Sequence, residues 1–272
     1  MAILEDEGLV LRSLRYRETS RIVTFLTRRH GKLNVIAKGA RDLKSPFGAA
    51  LQPLTLSRIV FYSKISRTLQ FLKAASVERA YLAILAEPAI YLLASAAAEF
   101  VLKVLPDEDP APELFDALRG FMEACEEDPP RWGRETAFKG FQLHVVGLLG
   151  YRPQLDTCAG CGRPLESPRG FGVAEGGLLC GGCCPAGEVL AISPRALTRL
   201  RAILAGGPGA AEHASQGPLE PGSAADREAW EGALDREVTG IIESFLRFHV
   251  TGYRGLRSLR GLAEWRELDR QT

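Results

Sequence analysis

The sequence predicts an α+β protein of several domains: an N-terminal OB-fold β-barrel, followed by a C-terminal helical bundle with an inserted four-cysteine zinc ribbon. Three observations favour this class. Five short segments rich in β-branched and aromatic residues lie within residues 1–78, helical periodicity dominates residues 79–272, and four cysteines stand as two C-x2-C pairs. A chain of 272 residues is long enough for two domains, or for one domain with a small appendage.

The predicted barrel occupies residues 1–78. Strands are expected at 9–12, 22–27, 33–37, 54–61 and 69–72. Five strands in fewer than 80 residues, three of them forming a meander, suit a small closed barrel. The stretch from Gly39 to Pro53 separates the third strand from the fourth, which is the position of the loop and short helix in an OB barrel.

The helical domain is predicted over residues 79–272. The most apolar stretch, Ala80 to Leu105, is interrupted by Glu87-Pro88 and carries charges, so it indicates two buried helices and not a membrane span. Further helices are expected at 113–124 and 135–149, after the Ser193-Pro194 start signal, and from Asp226 to Gly252. Residues 205–225 have few large apolar groups, so a mobile loop is expected there.

A metal module is predicted at residues 156–190. Its four ligands are Cys158, Cys161, Cys180 and Cys183. Two tight turns with this spacing can complete a tetrahedron around one Zn²⁺, and four thiolates leave no open position, so the ion is expected to be structural. Free or disulfide-bonded cysteines are the alternative, and Cys184 could replace Cys183. A short hairpin is expected between the two pairs.

The net charge of +1 conceals an asymmetry between the two parts of the chain. Residues 1–80 carry 15 Lys and Arg against 6 Asp and Glu, a net charge of +9, so the remainder carries −8. A basic module next to an acidic one indicates a polyanionic partner, although a solvated basic face is the alternative. Tyr16 and Phe47 lie among the basic residues and could stack on bases or pack into the core. The basic cluster comprises Arg12, Arg15, Arg17, Arg21, Arg28, Arg29, Lys32, Lys38, Arg41 and Lys44.

No catalytic residue is predicted, because the chain lacks P-loop, dinucleotide-binding, HExxH and GxSxG patterns. An enzyme using Cys184 or His144 has no support from spacing. The main alternative function is an OB-fold RNA-binding translation or ribosome-assembly factor. The first residues lack the basic region and apolar run of a signal peptide, so a cytoplasmic location is expected, where C-x2-C pairs favour metal over disulfides.

Several motifs together resemble a known family. Lys38-Gly39-Ala40-Arg41 is followed by Lys44-Ser45 and by Leu51-Gln52-Pro53-Leu54, and Gly150-Tyr151-x-Pro153 precedes the cysteines. The C-terminal stretches Phe245–Val250 and Leu256–Leu259 also match. Over nearly its entire length, the chain resembles the bacterial recombination mediator family RecO.

The resemblance implies a non-enzymatic DNA repair and recombination protein associated with the bacterial nucleoid. Proteins of this family bind single- and double-stranded DNA and anneal complementary strands. They associate with RecR and with single-strand DNA-binding protein, and they help to load recombinase onto coated strands. Lys38, Arg41 and Lys44 stand in the matching motif and are the expected phosphate contacts. Arg15, Arg17 and Arg21 are added to this nucleic-acid-binding set from charge alone.

Overall fold

The computed structural model describes residues 2–42, 44–64, 66–107, 109–127, 134–165, 167–184, 189–206 and 224–269. Its contacts divide the chain into two compact units. The first combines residues 1–131 with residues 256–272, and the second comprises residues 132–255. The domain boundary predicted between residues 78 and 79 stays a prediction.

A closed five-stranded barrel forms the start of the first unit. Its strands are β1 (Ala2–Tyr16), β2 (Ser20–Thr27), β3 (Gly31–Ala37), β4 (Thr55–Ser63) and β5 (Gln70–Ala80). They pair in the order β1-β2-β3-β5-β4, and the β3–β5 pair alone among these strands is parallel. The long β1 pairs with β4 through its first half and with β2 through its second half. A short 3-10 helix, Gly48–Leu51, precedes β4, so the predicted OB-like barrel is confirmed.

One apolar cluster fills the barrel interior, because alternate residues of each strand point inward. Phe47 belongs to this cluster and is only 6% exposed. Its ring therefore packs in the core, and the idea that it stacks on exposed bases is wrong. The cluster comprises Val10, Val23, Phe25, Leu33, Val35, Ala37, Phe47, Leu51, Ile59, Phe61 and Leu72.

Four helices follow the barrel in the described part of the first unit. They are α1 (Leu82–Ala86), α2 (Pro88–Val104), α3 (Pro112–Glu127) and, at the end of the chain, the helix here called α7 (Arg257–Asp269). The predicted break at Glu87-Pro88 separates α1 from α2, whose alanine-rich face is buried. Among the described helices, none has the length and apolar character that a membrane span requires.

The second unit, over its described residues, contains three helices and a small sheet. The helices are α4 (Arg134–Leu148), α5 (Pro194–Leu204) and α6 (Ala224–His249). The sheet has the order β7-β6-β8, with β6 at Gly170–Gly172, β7 at Gly177–Leu179 and β8 at Val189–Leu190. The predicted hairpin between the cysteine pairs is the β6–β7 pair.

The helix ends of the second unit follow local sequence signals. The Ser193 hydroxyl accepts a hydrogen bond from the Ala196 N–H, so it caps α5 as predicted. Helix α6 begins two residues before Asp226, and Gly252 follows its end with a positive φ of 78°. Of the tract predicted to be mobile, residues 207–223 lie outside the described residues.

Candidate metal centre and nucleic-acid interface

Four cysteine sulfurs lie close together in the second unit. The Sγ atoms of Cys158, Cys161, Cys180 and Cys183 all lie within 4.8 Å of one another. Cys158 is buried, whereas Cys161 is exposed. The second pair follows directly after β7, so the short sheet determines where two of the four sulfurs lie.

Tight turns present each pair of sulfurs. The Gly162 N–H donates to the Cys158 carbonyl at 2.8 Å, and the Cys183 N–H donates to the Cys180 carbonyl at 3.2 Å. Gly162 has a φ of 74°, which side chains other than glycine rarely adopt. A Cβ on Gly160 would lie 3.0 Å from the Cβ of Cys183. Glycine at position 160 therefore lets the two turns approach each other closely, whereas glycine at position 162 permits the backbone conformation of the first turn.

The environment of the sulfurs favours a cation. The Cys180 N–H donates to the Sγ of Cys158 at 3.4 Å and lowers the pKa of that thiol to about 6. Cys183 hydrogen-bonds to the other sulfurs, Cys161 first, and this raises the pKa of its thiol to about 12. A metal ion at the centre would stabilise all four thiolates at once. The donor set fits one tetrahedral Zn²⁺ and leaves no position for substrate or water.

Other candidate ligands and nucleophiles lie outside this group. Cys184 is half-buried and is not among the clustered sulfurs of the described residues. His249 ends α6, where its Nε2 lies 2.8 Å from the Val173 carbonyl oxygen and its ring packs on Phe245. His144 is exposed on α4.

The structure divides the basic residues of the barrel region into two sets. Ion pairs neutralise five of them, and three of these, Arg28, Arg29 and Lys32, were predicted to belong to the basic cluster. Their carboxylate partners are Asp116, Asp6 and Asp107 in turn. The other two are Arg58, which pairs with Glu5 and Glu78, and Arg79, which pairs with Glu123 and Glu126.

The second set has no carboxylate within ion-pair distance in the part of the chain that the structure describes. All of its members are exposed except the half-buried Arg21. The six predicted nucleic-acid contacts belong to this set. Its members, here called the unpaired basic set, are Arg12, Arg15, Arg17, Arg21, Lys38, Arg41, Lys44, Lys64, Arg67 and Lys73.

Strand register places two of these cations side by side. Arg15 lies directly opposite Arg21 on the neighbouring strand. Like charges that face each other across two strands destabilise a sheet. An anion bound beside these two arginines would relieve that repulsion.

Arg41 has a second use in the structure. Its Nη1 donates to the carbonyl oxygens of Arg17 (3.2 Å) and Glu18 (2.7 Å), and its backbone N–H donates to the Thr19 carbonyl. Arg41 therefore holds the β1–β2 turn. Within that turn, the Arg17 guanidinium lies 5.3 Å from the centre of the half-buried Tyr16 ring.

The β4–β5 loop places a second cation, Arg67, beside Lys38, and no sequence pattern predicts this. Lys38 Nζ and Arg67 Cζ lie 4.8 Å and 5.4 Å from the centre of the Phe71 ring. The sequence predicts Phe71 only as a strand residue, and no motif distinguishes Arg67. A separation of 29 residues between the two cations gives no periodic signal that would join them.

Comparison with known proteins assigns the chain to a family. The family model described as recombination protein O N terminal matches residues 1–81, and the one described as recombination protein O C terminal matches residues 86–259. The chain belongs to the RecO family. The first match covers the RecO barrel, and the second covers α2 to the start of α7, including the four clustered cysteines.

Curated relatives carry the same family name. A protein named DNA repair protein RecO from Anaeromyxobacter dehalogenans is 36% identical over 89% of this chain and 90% of its own length. The proteins of that name from Streptomyces griseus and Thermobifida fusca are each 32% identical over 96% of this chain and 98% of their own lengths. The resemblance seen in the sequence motifs is thus confirmed, and the chain is a RecO-family DNA repair protein.

Proposed function

We propose that this RecO-family chain binds single- and double-stranded DNA through its barrel, anneals complementary strands and acts without catalysing a covalent step. The observation that carries the proposal is the unpaired basic set. Ten cations on one small barrel are left without carboxylate partners among the described residues, and two of them, Arg15 and Arg21, face each other across β1 and β2. A surface of this kind follows phosphates electrostatically and does not need to read bases.

Annealing by such a surface has a simple physical basis. Two complementary strands repel each other through their phosphates, and this repulsion opposes the first base pairs. Cations that bind both strands neutralise part of the charge and hold the strands close, so that pairing can nucleate. Lys38, Arg41 and Lys44 lie in or directly after the family motif and are the proposed phosphate contacts. Further proposed contacts, from charge alone, are Arg15, Arg17 and Arg21.

The four clustered cysteines are proposed to hold one structural Zn²⁺. A closed set of four thiolates stabilises the small sheet and its turns but offers no position for chemistry. Zinc bound there would contribute free energy to folding, because the unfolded chain has no preformed site. Cys184 lies outside the clustered sulfurs, which leaves Cys183 as the proposed fourth ligand.

The proposed partners are those that membership of the RecO family implies. RecR and single-strand DNA-binding protein are the expected protein partners, and recombinase is affected indirectly when it is loaded onto coated strands. The setting proposed for this activity is the bacterial cytoplasm at the nucleoid. Because no partner requires bond making, the chain is proposed to act as a mediator and not as an enzyme.

Duplex formation from two complementary oligonucleotides tests the function. The purified chain is expected to accelerate annealing, and the acceleration should fall as salt rises. Affinity for single strands should decrease with a log–log slope of about 0.7 per neutralised phosphate. Reversing the charges of Lys38, Arg41 and Lys44 together should abolish annealing in a protein that still folds, with a Tm lowered only by the loss of the Arg41 contacts to the β1–β2 turn.

Because Arg41 also holds the β1–β2 turn, the Lys38→Glu/Lys44→Glu double variant serves as a control for turn disruption. It should still lose most of the annealing activity. Wild-type affinity for DNA in the double and triple variants would refute the site assignment. Absence of DNA binding by the wild-type protein would overturn the proposed function itself.

A competition between single-stranded DNA and RNA of the same sequence separates this proposal from its main alternative. The barrel and its cations suit either polymer. Stronger binding to RNA, with no annealing of DNA, would favour the translation or ribosome-assembly factor.

A further inference from the structure

Phe71 joins two cations that are far apart in sequence. It lies on β5, half-buried, with Lys38 Nζ 4.8 Å and Arg67 Cζ 5.4 Å from its ring centre. Both distances are within the range of cation–π attraction. Two positive charges thus share one ring on the barrel surface.

The Gln70 side chain holds the backbone next to Arg67. The Gln70 side chain, only 4% exposed, accepts a hydrogen bond from the Lys64 N–H at 2.9 Å. Its amide donates to the carbonyl oxygens of Lys64 (3.2 Å) and Arg67 (2.6 Å). These contacts of a buried polar side chain hold the backbone of Lys64 and of Arg67 against the start of β5.

Neither cation has a carboxylate partner among the described residues, although Arg58 on the same barrel pairs with two. Bringing two like charges to one ring costs electrostatic free energy, which an anion between or beside them would offset. A ligand that suits this cluster is therefore negatively charged.

The surroundings identify the kind of anion. Ile36 and Tyr62 are the cross-strand neighbours of Phe71 on β3 and β4, and both are half-buried side chains of the outer face. Apolar and aromatic surface next to two neighbouring cations suits a polymer that has both phosphates and exposed base faces. A single nucleic-acid strand has both, whereas a duplex stacks its bases inside.

We propose that Lys38, Phe71 and Arg67 form a phosphate-binding subsite for single-stranded nucleic acid, with Phe71 as the residue that positions the two cations. The inference rests on the proposed function and extends its interface to the β4–β5 loop. Lys38 links the subsite to the proposed phosphate contacts Arg41 and Lys44, which follow it in the loop after β3.

Binding of labelled oligo(dT) across a salt series tests the subsite. Arg67→Gln should reduce the log–log salt slope by about 0.7, which corresponds to about a five-fold loss of affinity at 0.1 M salt. Phe71→Leu should cause a similar loss, because it removes the ring that holds both cations. Phe71→Tyr keeps the ring and should restore wild-type affinity and slope.

Arg58→Gln is the matched control, since Arg58 is also an exposed barrel arginine but is neutralised by Glu5 and Glu78. It should leave the slope unchanged. Melting temperatures of all variants should stay near that of the wild type. If Phe71→Leu fails to fold, Arg67→Gln still decides the question.

The outcomes separate two kinds of failure. Wild-type slope and affinity in Arg67→Gln, with loss of binding in the Lys38→Glu/Lys44→Glu variant, would overturn the subsite and leave the proposed function standing. An equal slope reduction in Arg58→Gln would also overturn it, because the effect would then reflect net charge alone. Failure of the wild-type protein to bind oligo(dT) would remove the proposed function and the subsite together.

Discussion

The carboxylate of Glu99, on α2, accepts hydrogen bonds from the backbone N–H groups of Arg257 and Ser258 at 3.0 Å each. These two residues begin α7, and the first N–H groups of a helix have no partner within it. The Ser258 hydroxyl donates to the same carboxylate. Glu99 thus caps α7 and holds its start against α2, although it lies 158 positions before Arg257 in the chain.

Glu99→Gln should lower the free energy of unfolding by about 1 kcal/mol at neutral pH, because a helix cap and a charge at a helix N-terminus are lost. Burial by itself raises the pKa of Glu99, but hydrogen bonds from Ser258, Arg257 and Lys103 outweigh it and lower the pKa below its usual 4.5. A lowered pKa contributes stability above the unfolded value, which is lost as the pH falls through the folded value.

Thermal melting of both proteins as a function of pH checks this prediction. The difference in Tm between wild type and Glu99→Gln should be full at pH 7 and shrink below pH 4.5. A difference that is constant over this range would show that the charge of Glu99 does not contribute.

Asp6 is the second carboxylate with a structural role, and its side chain is only 2% exposed. It accepts hydrogen bonds from the backbone N–H groups of Glu7 (2.9 Å) and Arg29 (3.0 Å), and His30 Nδ1 lies 2.6 Å from its Oδ2. Asp6→Ala leaves these groups without their acceptor, so the free energy of unfolding should fall by about 3 kcal/mol.

Urea denaturation measures that loss, with Glu5→Gln as the control. Glu5 is exposed and its carboxylate pairs only with Arg58 among the described side chains, so its replacement should change stability by less than about 1 kcal/mol. Equal effects of the two substitutions would contradict the structural role of Asp6.

Cys158→Ser should reduce bound zinc and lower Tm more than it lowers DNA affinity at a permissive temperature. The reason is that the four-sulfur group lies in the second unit, whereas the proposed DNA contacts lie on the barrel. Metal analysis, thermal melting and oligonucleotide binding are the measurements. Cys184→Ser, outside the clustered sulfurs, should keep the wild-type metal content. Folded wild-type protein without zinc would rule out the assignment.

Arg41→Ala and Lys44→Ala should differ in their effect on stability. Arg41 donates to the carbonyl oxygens of Arg17 and Glu18, so its loss should cost about 1 kcal/mol of folding free energy and also weaken DNA binding. Lys44 is exposed in the loop after β3, so its loss should weaken binding alone. Tm and the salt slope of binding distinguish the two. Identical Tm values for both variants would show that Arg41 does not hold the turn.

Local pattern along the chain is enough to specify several features of this protein. Segments rich in β-branched and aromatic residues predicted the barrel strands, Glu87-Pro88 predicted the break between α1 and α2, and the C-x2-C spacing predicted the cysteine cluster. Each signal lies within a few residues of the element it specifies, because strand pleat, helix start and ligand turn are short-range geometry.

Packing between distant residues settles which charged and aromatic side chains are available for binding. The sequence allowed Phe47 either to stack on bases or to pack in the core, and it packs inside the barrel. Arg28 belongs to the predicted basic cluster but pairs with Asp116. Lys38 meets Arg67 through Phe71, because strand pairing brings distant positions together. Sequence periodicity does not predict such partners, because contacts between distant residues depend on how helices and strands pack and not on neighbours along the chain.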